Sequence, residues 1–295
     1  MPEVSIIILN YNTFQLTCNC IESVIQFTKG ITYEIILVDN NSTECNADLF
    51  KAKFPGITLI KNDTNAGFAK GNNLGIAAAT GTFILLLNSD TYLTEDAITK
   101  TVVHCKNKKG EGVMGCKMIY PGGQIQYTAR RFRSISWEIL DTFRFVLFLL
   151  PYKKRAVLML GKYFKTDFNT EADWVNGAFF LFHKAILDQL PGKKLDDCFF
   201  MYGEDHLWCW QIKQLGYYVS FYHEAVIVHL NNGSTSIEKQ LALRRVIMKN
   251  ELVIMKKRKG EGLYYSLFKL IFTAKENFRN SIKWIFFKIS GKILR

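Results

Sequence analysis

The first hundred residues alternate short apolar runs with longer stretches in which apolar and polar positions mix at helical spacing. Val4–Leu9, Glu34–Val38, Ile57–Ile60 and Phe83–Leu87 are four to six residues long and apolar almost throughout. Such runs mark strands covered on both faces, as in a parallel sheet. Between them, a segment after Thr13, one around Ala47–Phe54 and one over Phe68–Ala79 predict helices. The succession predicts a doubly wound α/β sheet, in which ligands bind beyond the carboxyl ends of the strands. The pattern then loses its regularity. It predicts a helix over Thr94–Lys106, a strand over Gly112–Met118, a basic loop at Arg130–Arg133 and an aromatic-rich helix over Ile135–Leu150. A strand over Val175–Phe182, a helix over Glu204–Leu215 and two short strands, Tyr218–Tyr222 and Val226–Leu230, follow. A last helix, Glu238–Lys257, is punctuated by Gly260 and Gly262.

The composition is that of an ordinary globular chain, with 48% hydrophobic and 22% charged residues, which excludes disordered and collagen-like architectures. The net charge of +12 changes meaning once located. Gln240–Arg295 holds fourteen Lys and Arg against three Glu, a net of +11, and the first 239 residues carry only +1. A nearly neutral body with a basic, aromatic tail is not a nucleic-acid-binding pattern. Seven scattered cysteines form neither a zinc-finger spacing nor a disulfide framework and fit a reducing compartment. The start, MPEVSIIILNYN, reads as a buried strand and not as a leader. No run reaches the roughly 18 apolar residues of a membrane-spanning helix. The expected location is the cytoplasm, peripheral on the inner face of the membrane.

Each early strand ends in a polar cluster. These are Asn10-Tyr11-Asn12, Asp39-Asn40-Asn41-Ser42, Asn62 to Gly67 by way of Asn65, and Asn88-Ser89-Asp90. Singly, each reads as a cap or a turn; together they predict a polar small-molecule site. The G-x-G-x-x-G and G-x-x-x-x-G-K-[ST] motifs are absent, which excludes a dinucleotide dehydrogenase and a P-loop NTPase. A diphosphate held without a glycine-rich loop calls for a divalent cation, and Asp90, at the tip of a buried strand, is placed to hold it. Its structural role would be to cap the next helix, which Thr94 or Asp96 would do better.

The segments VSIIILNYN, VDNNS, NAGFAKGNNLG, LLLNSD, WVNGA and FFMYGED, with the late His229, resemble the family 2 glycosyltransferases. Their order and spacing are similar to the bacterial rhamnosyltransferase-like branch. The resemblance implies a GT-A fold and inverting transfer of a sugar, rhamnose in that branch, from a dTDP or UDP donor to a glycan or lipid-linked acceptor. It implies that residues 1–110 bind the nucleotide-sugar and that 111–235 bind the acceptor and carry catalysis; residues 236–295, outside the resemblance, read from their own pattern as a basic helical tail. Residue by residue, Asp39 would read the base edge beside Asn10 and Tyr11, and Asn65 and Lys70 would line the nucleotide. Asn88, Ser89 and Asp90 stand where the family has D-x-D, so Asp90 would hold magnesium or manganese and Asn88 would meet the ribose. His229 matches a histidine that reaches the metal or diphosphate; otherwise it is a core histidine. Trp174, Asn176 and Gly177 fall in the substrate-binding WVNGA segment. Asp205 matches the catalytic base, supported by Glu204, where the bland alternative is two acids that start a helix.

Two departures stand out. Leu207 and Gln211 occupy positions where the branch commonly has a second Asp and an Arg. They keep open a second class, a non-catalytic subunit that retains the fold and binds a partner. A sugar-phosphate nucleotidyltransferase is excluded by the missing G-x-G-T-R-L segment. Lys256–Lys259 and the aromatic stretches after them read as an interfacial membrane helix, or as a helix pair with a solvated basic face.

Overall fold

The computed structural model describes residues 1–231 and 236–290. Lys292 and the boundary expected at residue 235 lie outside the described residues. The chain forms two compact units, residues 1–131 with 156–231, and residues 132–155 with the chain beyond 231. The strands are β1 (Val4–Asn10), β2 (Tyr33–Asp39), β3 (Thr58–Lys61), β4 (Phe83–Asn88), β5 (Thr91–Leu93) and β6 (Glu111–Ile119), then β7 (Ile125–Gln126), β8 (Ala129–Arg130), β9 (Thr170–Glu171), β10 (Trp174–Val175), β11 (Phe179–His183) and β12 (Tyr218–His229). The helices are α1 (Phe14–Phe27), α2 (Asp48–Lys53), α3 (Phe68–Ala78), α4 (Ala97–Lys106), α5 (Ile135–Thr142), α6 (Tyr152–Met159), α7 (Glu204–Gln214), α8 (Ile237–Lys259) and α9 (Leu263–Ser290).

In the first unit the main sheet runs β3-β2-β1-β4-β11-β6-β12-β5. β1 to β4 pair in parallel, as do β6 and β12, while β11 runs antiparallel between β4 and β6. β1, β2, β3, β4, β6 and β12 therefore point the same way, and their carboxyl ends share one edge. Alternation along β1 explains the double covering. Ile6 and Ile8 join Cys20, Ile21 and Val24 of α1 and Ile98 and Val102 of α4 in one core. Ile7 faces α3 on the other side, where Gly75 permits close approach; a Cβ there would lie 2.5 Å from Ile7 Cγ2.

Several elements differ from the sequence-based expectation, each for a local reason. α4 starts at Ala97 because the Asp96 carboxylate accepts the Thr99 N–H at 3.1 Å. The residues before it, Thr91–Leu93, pair with β12 instead. The strand expected over Val175–Phe182 is two strands: β10 pairs with β8, the chain turns at Asn176-Gly177, and β11 enters the main sheet. The two strands expected after Tyr218 are one. Tyr222 pairs with Cys116 and Val226 with Lys117, so residues 223–225 form a bulge. Side chains satisfy its backbone, with the His223 N–H donated to Asn169 Oδ1 and the Val226 N–H to Glu95 Oε1. The helix expected over Ile135–Leu150 stops at Thr142, and Arg144–Leu149 continues as a 3₁₀ turn. Arg130–Arg133 is not one loop cluster either. Arg130 lies in β8, Arg131 sits 3.4 Å from Asp173, and Arg133 sits 2.7 Å from Glu138.

The second unit is helical. Met255 of α8 and Phe268 and Phe272 of α9 form its apolar core, flanked by Ile135, Leu252 and Tyr265. The buried carboxylates of Glu138 and Asp141 are matched by Lys275, at 2.8 and 2.7 Å, which answers the cost of burying them. Gly260, at φ +71°, separates α8 from α9. Among the described residues no helix is long and apolar enough to cross a membrane.

Candidate active site

The carboxyl edge of the sheet gathers most of the predicted residues. Register places Asn10 beside Asp39, and Leu9 beside Asn88. The Asn10 amide donates to Asp39 Oδ1 at 2.7 Å and to Ser42 Oγ at 2.9 Å, and the Ser42 N–H reaches Asp39 Oδ2 at 3.1 Å. Asn10 Oδ1 accepts from the Thr13 and Thr17 hydroxyls, and Thr13 Oγ1 lies 3.2 Å from Ser89 Oγ. Tyr11 is exposed beside this network. Asn65 faces inward: its Oδ1 accepts from the buried Asn40 amide and from the Gly67 N–H. Asn40 also accepts from Asn62 and from the Ala66 N–H, so it clasps the loop that leads into α3. Lys70 is exposed in the first turn of α3.

Asp90 and His229 come together from the ends of β4 and β12, with His229 Nε2 3.2 Å from Asp90 Oδ1. Gln126 fixes which ring nitrogen faces the carboxylate. Its amide nitrogen donates to the His229 carbonyl at 2.6 Å, so its Oε1 accepts the proton on His229 Nδ1 at 2.8 Å. Nε2 thus faces the Asp90 carboxylate, an orientation in which the two side chains could ligate one cation. The pair fits a divalent ion. Among the described residues no third His, Cys, Asp or Glu joins it, which suits an ion completed by substrate oxygens.

Across β4, the antiparallel β11 brings Asn176, Gly177 and Ala178 to the same edge, and the Asn88 N–H donates to the Ala178 carbonyl at 3.0 Å. The Asn176 side chain accepts the Ala178 N–H at 2.8 Å. Gly177 donates its N–H to Asp205 Oδ2 at 3.1 Å, and Asp205 Oδ1 accepts the His206 N–H at 2.8 Å. Neither acid is the N-cap residue of α7, a place taken by Gly203 in the left-handed region. Burial pushes the Asp205 carboxyl up, opposed by those two N–H groups and by the fields of His206 and Arg130. Burial, with the neighbouring Asp205 charge, pushes Glu204 up to about 8. Beneath this pair Trp174 stacks on His206 at 5.4 Å with an interplanar angle of 4°, and the Arg130 guanidinium lies 5.5 Å from the Trp174 ring. The loop before α7 is tied to the loop before α3, since the Phe68 N–H donates to the Phe200 carbonyl at 2.8 Å.

Gln126 and Arg130 are absent from the residues singled out in the sequence. The signal was the basic cluster at 130–133, whose members turn out to have separate roles. Leu207 is a core residue, and Gln211 donates to Asp196 Oδ2 at 3.1 Å.

A doubly wound, mostly parallel sheet with an antiparallel strand between β4 and β6 is a fold of the GT-A type. The chain belongs to glycosyl transferase family 2, whose family model matches residues 5–172. Over 118 residues, 38% of this chain, it is 30% identical to the poly(ribitol-phosphate) β-glucosyltransferase of Bacillus spizizenii. The match spans 19% of that relative's length. The fold is shared with the mannosyltransferase PcManGT from Pyrobaculum calidifontis, solved with GDP-Man and Mn²⁺, at a TM-score of 0.60 and 16% identity, covering 93% of this chain and 69% of that one. It is shared also with S. aureus TarS 1–349 in complex with UDP, at a TM-score of 0.54 and 15% identity, covering 90% and 69%.

Proposed function

We propose that this protein is an inverting, metal-assisted glycosyltransferase that moves a sugar from a nucleoside-diphosphate donor of the dTDP or UDP type to a hydroxyl of a glycan or lipid-linked acceptor. The observation that carries the reading is the Asp90–His229 pair, with its ring orientation fixed by Gln126, at the same strand edge as an Asp205 carboxylate held by the Gly177 N–H. Asn10, Tyr11 and Asp39 bind the base, Asn65 and Lys70 line the nucleotide, and Asn88 and Ser89 face the ribose. Trp174, Asn176 and Gly177 shape the substrate side. Residues 1–110 thus serve the donor and 111–235 the acceptor, and rhamnose is the sugar that the sequence resemblance favours.

In the reaction the acceptor hydroxyl gives its proton to Asp205 while its oxygen bonds to the anomeric carbon. The bond from that carbon to the diphosphate oxygen breaks, the nucleoside diphosphate leaves, and the configuration inverts. A carboxylate with raised proton affinity suits this base role. Glu204 supports it by remaining protonated near neutrality. Asp90 and His229 would hold magnesium or manganese, which when bound would neutralise charge on the departing diphosphate. Arg130, on the other flank, adds fixed positive charge where the sequence lacks the arginine common in this branch. The basic tail, residues 236–295, holds the protein at an anionic membrane surface.

Thermal protection by a panel of nucleotide-sugars tests the reading. A ligand at 100 times its dissociation constant adds about 2.7 kcal/mol, and manganese should be required for the full shift. Asp90→Ala should lose the manganese-dependent part. Asp205→Asn should keep it, while turnover falls by roughly 100-fold or more. No protection by any nucleotide-sugar with manganese present would overturn the function, and wild-type turnover in Asp205→Asn would overturn the base.

A further inference from the structure

Residues 143–150 read Phe-Arg-Phe-Val-Leu-Phe-Leu-Leu, and seven of the eight are exposed. Phe145 is 68% exposed, Phe148 65% and Leu149 83%, while Leu147 alone is buried, at 1%. Arg144–Leu149 is a 3₁₀ turn, in which side chains three apart eclipse one another along three ridges. Phe145 and Phe148 form one ridge, Val146 and Leu149 the second, and Leu147 and Leu150 the third. Two of the three ridges are bare. The element is thus apolar around most of its circumference, which a flat partner face would cover only in part.

The charges around it select the occupant. Arg144, Lys153, Lys154 and Arg155 accompany the segment with no acid between residues 142 and 166, and Lys153 and Lys154 are exposed. The Arg155 guanidinium lies over the Phe148 ring, 4.7 Å from its centroid. Residues 132–155 and 232–295 together carry twenty Lys and Arg against six Asp and Glu, a net of +14. Two copies would repel each other at this face. An anionic bilayer offers both partners at once, acyl chains for the bare ridges and phosphates for the cations.

We infer that residues 143–150 are a wedge that inserts into the headgroup–acyl boundary of an anionic membrane, distinct from the basic tail that attracts the protein there. Six residues at about 2 Å each make roughly 12 Å, enough for the boundary and far short of the roughly 30 Å hydrocarbon core. The inference rests on the membrane part of the proposed function and names the element that enters the lipid.

The test is vesicle co-sedimentation of the full chain over a salt series, with vesicles of phosphatidylcholine containing phosphatidylglycerol. Phe148→Ser/Leu149→Ser leaves every charge in place, so its binding should fall by roughly tenfold or more at each salt concentration while the slope against salt stays that of wild type. Leu149→Asp is the second variant, expected to weaken binding in the same direction; at 83% exposure Leu149 tolerates the change without loss of fold. Wild-type binding with unchanged affinity in both variants would overturn the wedge and leave the tail reading standing. Absence of vesicle binding by the wild type would overturn the membrane reading itself. A wild-type dimer in light scattering that the double variant converts to monomer, with vesicle binding unchanged, would make the segment a contact between copies and overturn the wedge.

Discussion

Glu204 and Asp205 open α7 side by side, yet only Asp205 has both oxygens engaged by backbone N–H groups. Glu204 Oε2 is buried without a hydrogen-bond partner, which is why its charged form is disfavoured and its pKa rises to about 8. The sign for stability follows. Below about 4.5 both folded and unfolded states hold the proton. Between 4.5 and 8 the unfolded chain releases it and the folded chain keeps it, so stability falls as pH rises through that window. An amide never ionises. The Tm of Glu204→Gln, compared with wild type, should therefore improve steadily from pH 5 to pH 8; a difference independent of pH would mean that the carboxyl titrates normally. The candidate residues at strand ends, Asn10, Asp39 and Asp90, were legible because a polar residue after an apolar run is visible in one dimension. Gln126 and Arg130 were not. They lie on two-residue strands whose partners, His229 and Trp174, are 103 and 44 positions away; nothing local marks Gln126, and the basic cluster at 130–133 flags Arg130 without separating it from its neighbours.

Elements with a period were read well and elements made by tertiary pairing were not. β1 to β4 announced themselves because both faces are covered. The break inside Val175–Phe182 and the join across His223-Glu224-Ala225 run opposite to the local pattern. In the first, Asn176-Gly177 turns a continuous apolar run between two sheets; in the second, Asn169 and Glu95 satisfy a bulge that reads as a loop. The joint between the loop before α3 and the loop before α7 has a requirement that substitution can expose. Gly67 has φ +83°, and a Cβ there would lie 2.3 Å from the Phe200 carbonyl oxygen. Gly123 has φ +81° with nothing within 4 Å of its Cβ position. Alanine at either costs about 1–2 kcal/mol of backbone strain, each kcal/mol being worth about 2–4 °C in a chain of this class. Gly67→Ala should lose clearly more than Gly123→Ala, because it must also push back the Phe200 backbone. Equal losses in thermal unfolding would show that the contact with Phe200 constrains nothing.

For the whole molecule the decisive property is where the charge sits. The segments of the α/β unit, residues 1–131 and 156–231, hold eighteen Lys and Arg against twenty Asp and Glu, a net of −2, so the +14 of the remaining segments accounts for all of the basic character. A net positive chain is often read as a binder of nucleic acid, but here the candidate site lies in the acidic-to-neutral unit, and the positive field belongs to helices with exposed Phe278, Ile282, Trp284 and Ile285. Positive charge beside exposed aromatic residues suits a lipid surface, where each Lys or Arg near the headgroups contributes about 1 kcal/mol. That contribution is screened as the Debye length falls from about 10 Å at 0.1 M salt to about 3 Å at 1 M. Binding of the full chain to phosphatidylglycerol-containing vesicles should therefore weaken by at least roughly tenfold across that range. Pure phosphatidylcholine vesicles should bind weakly at every salt concentration. Donor protection in the thermal assay should change far less over the same salt series, since His229 is buried and Asp90 and Asp205 are partly buried. Equal binding to neutral and anionic vesicles, with no salt dependence, would show that the basic helices serve some purpose other than holding the protein at a charged membrane.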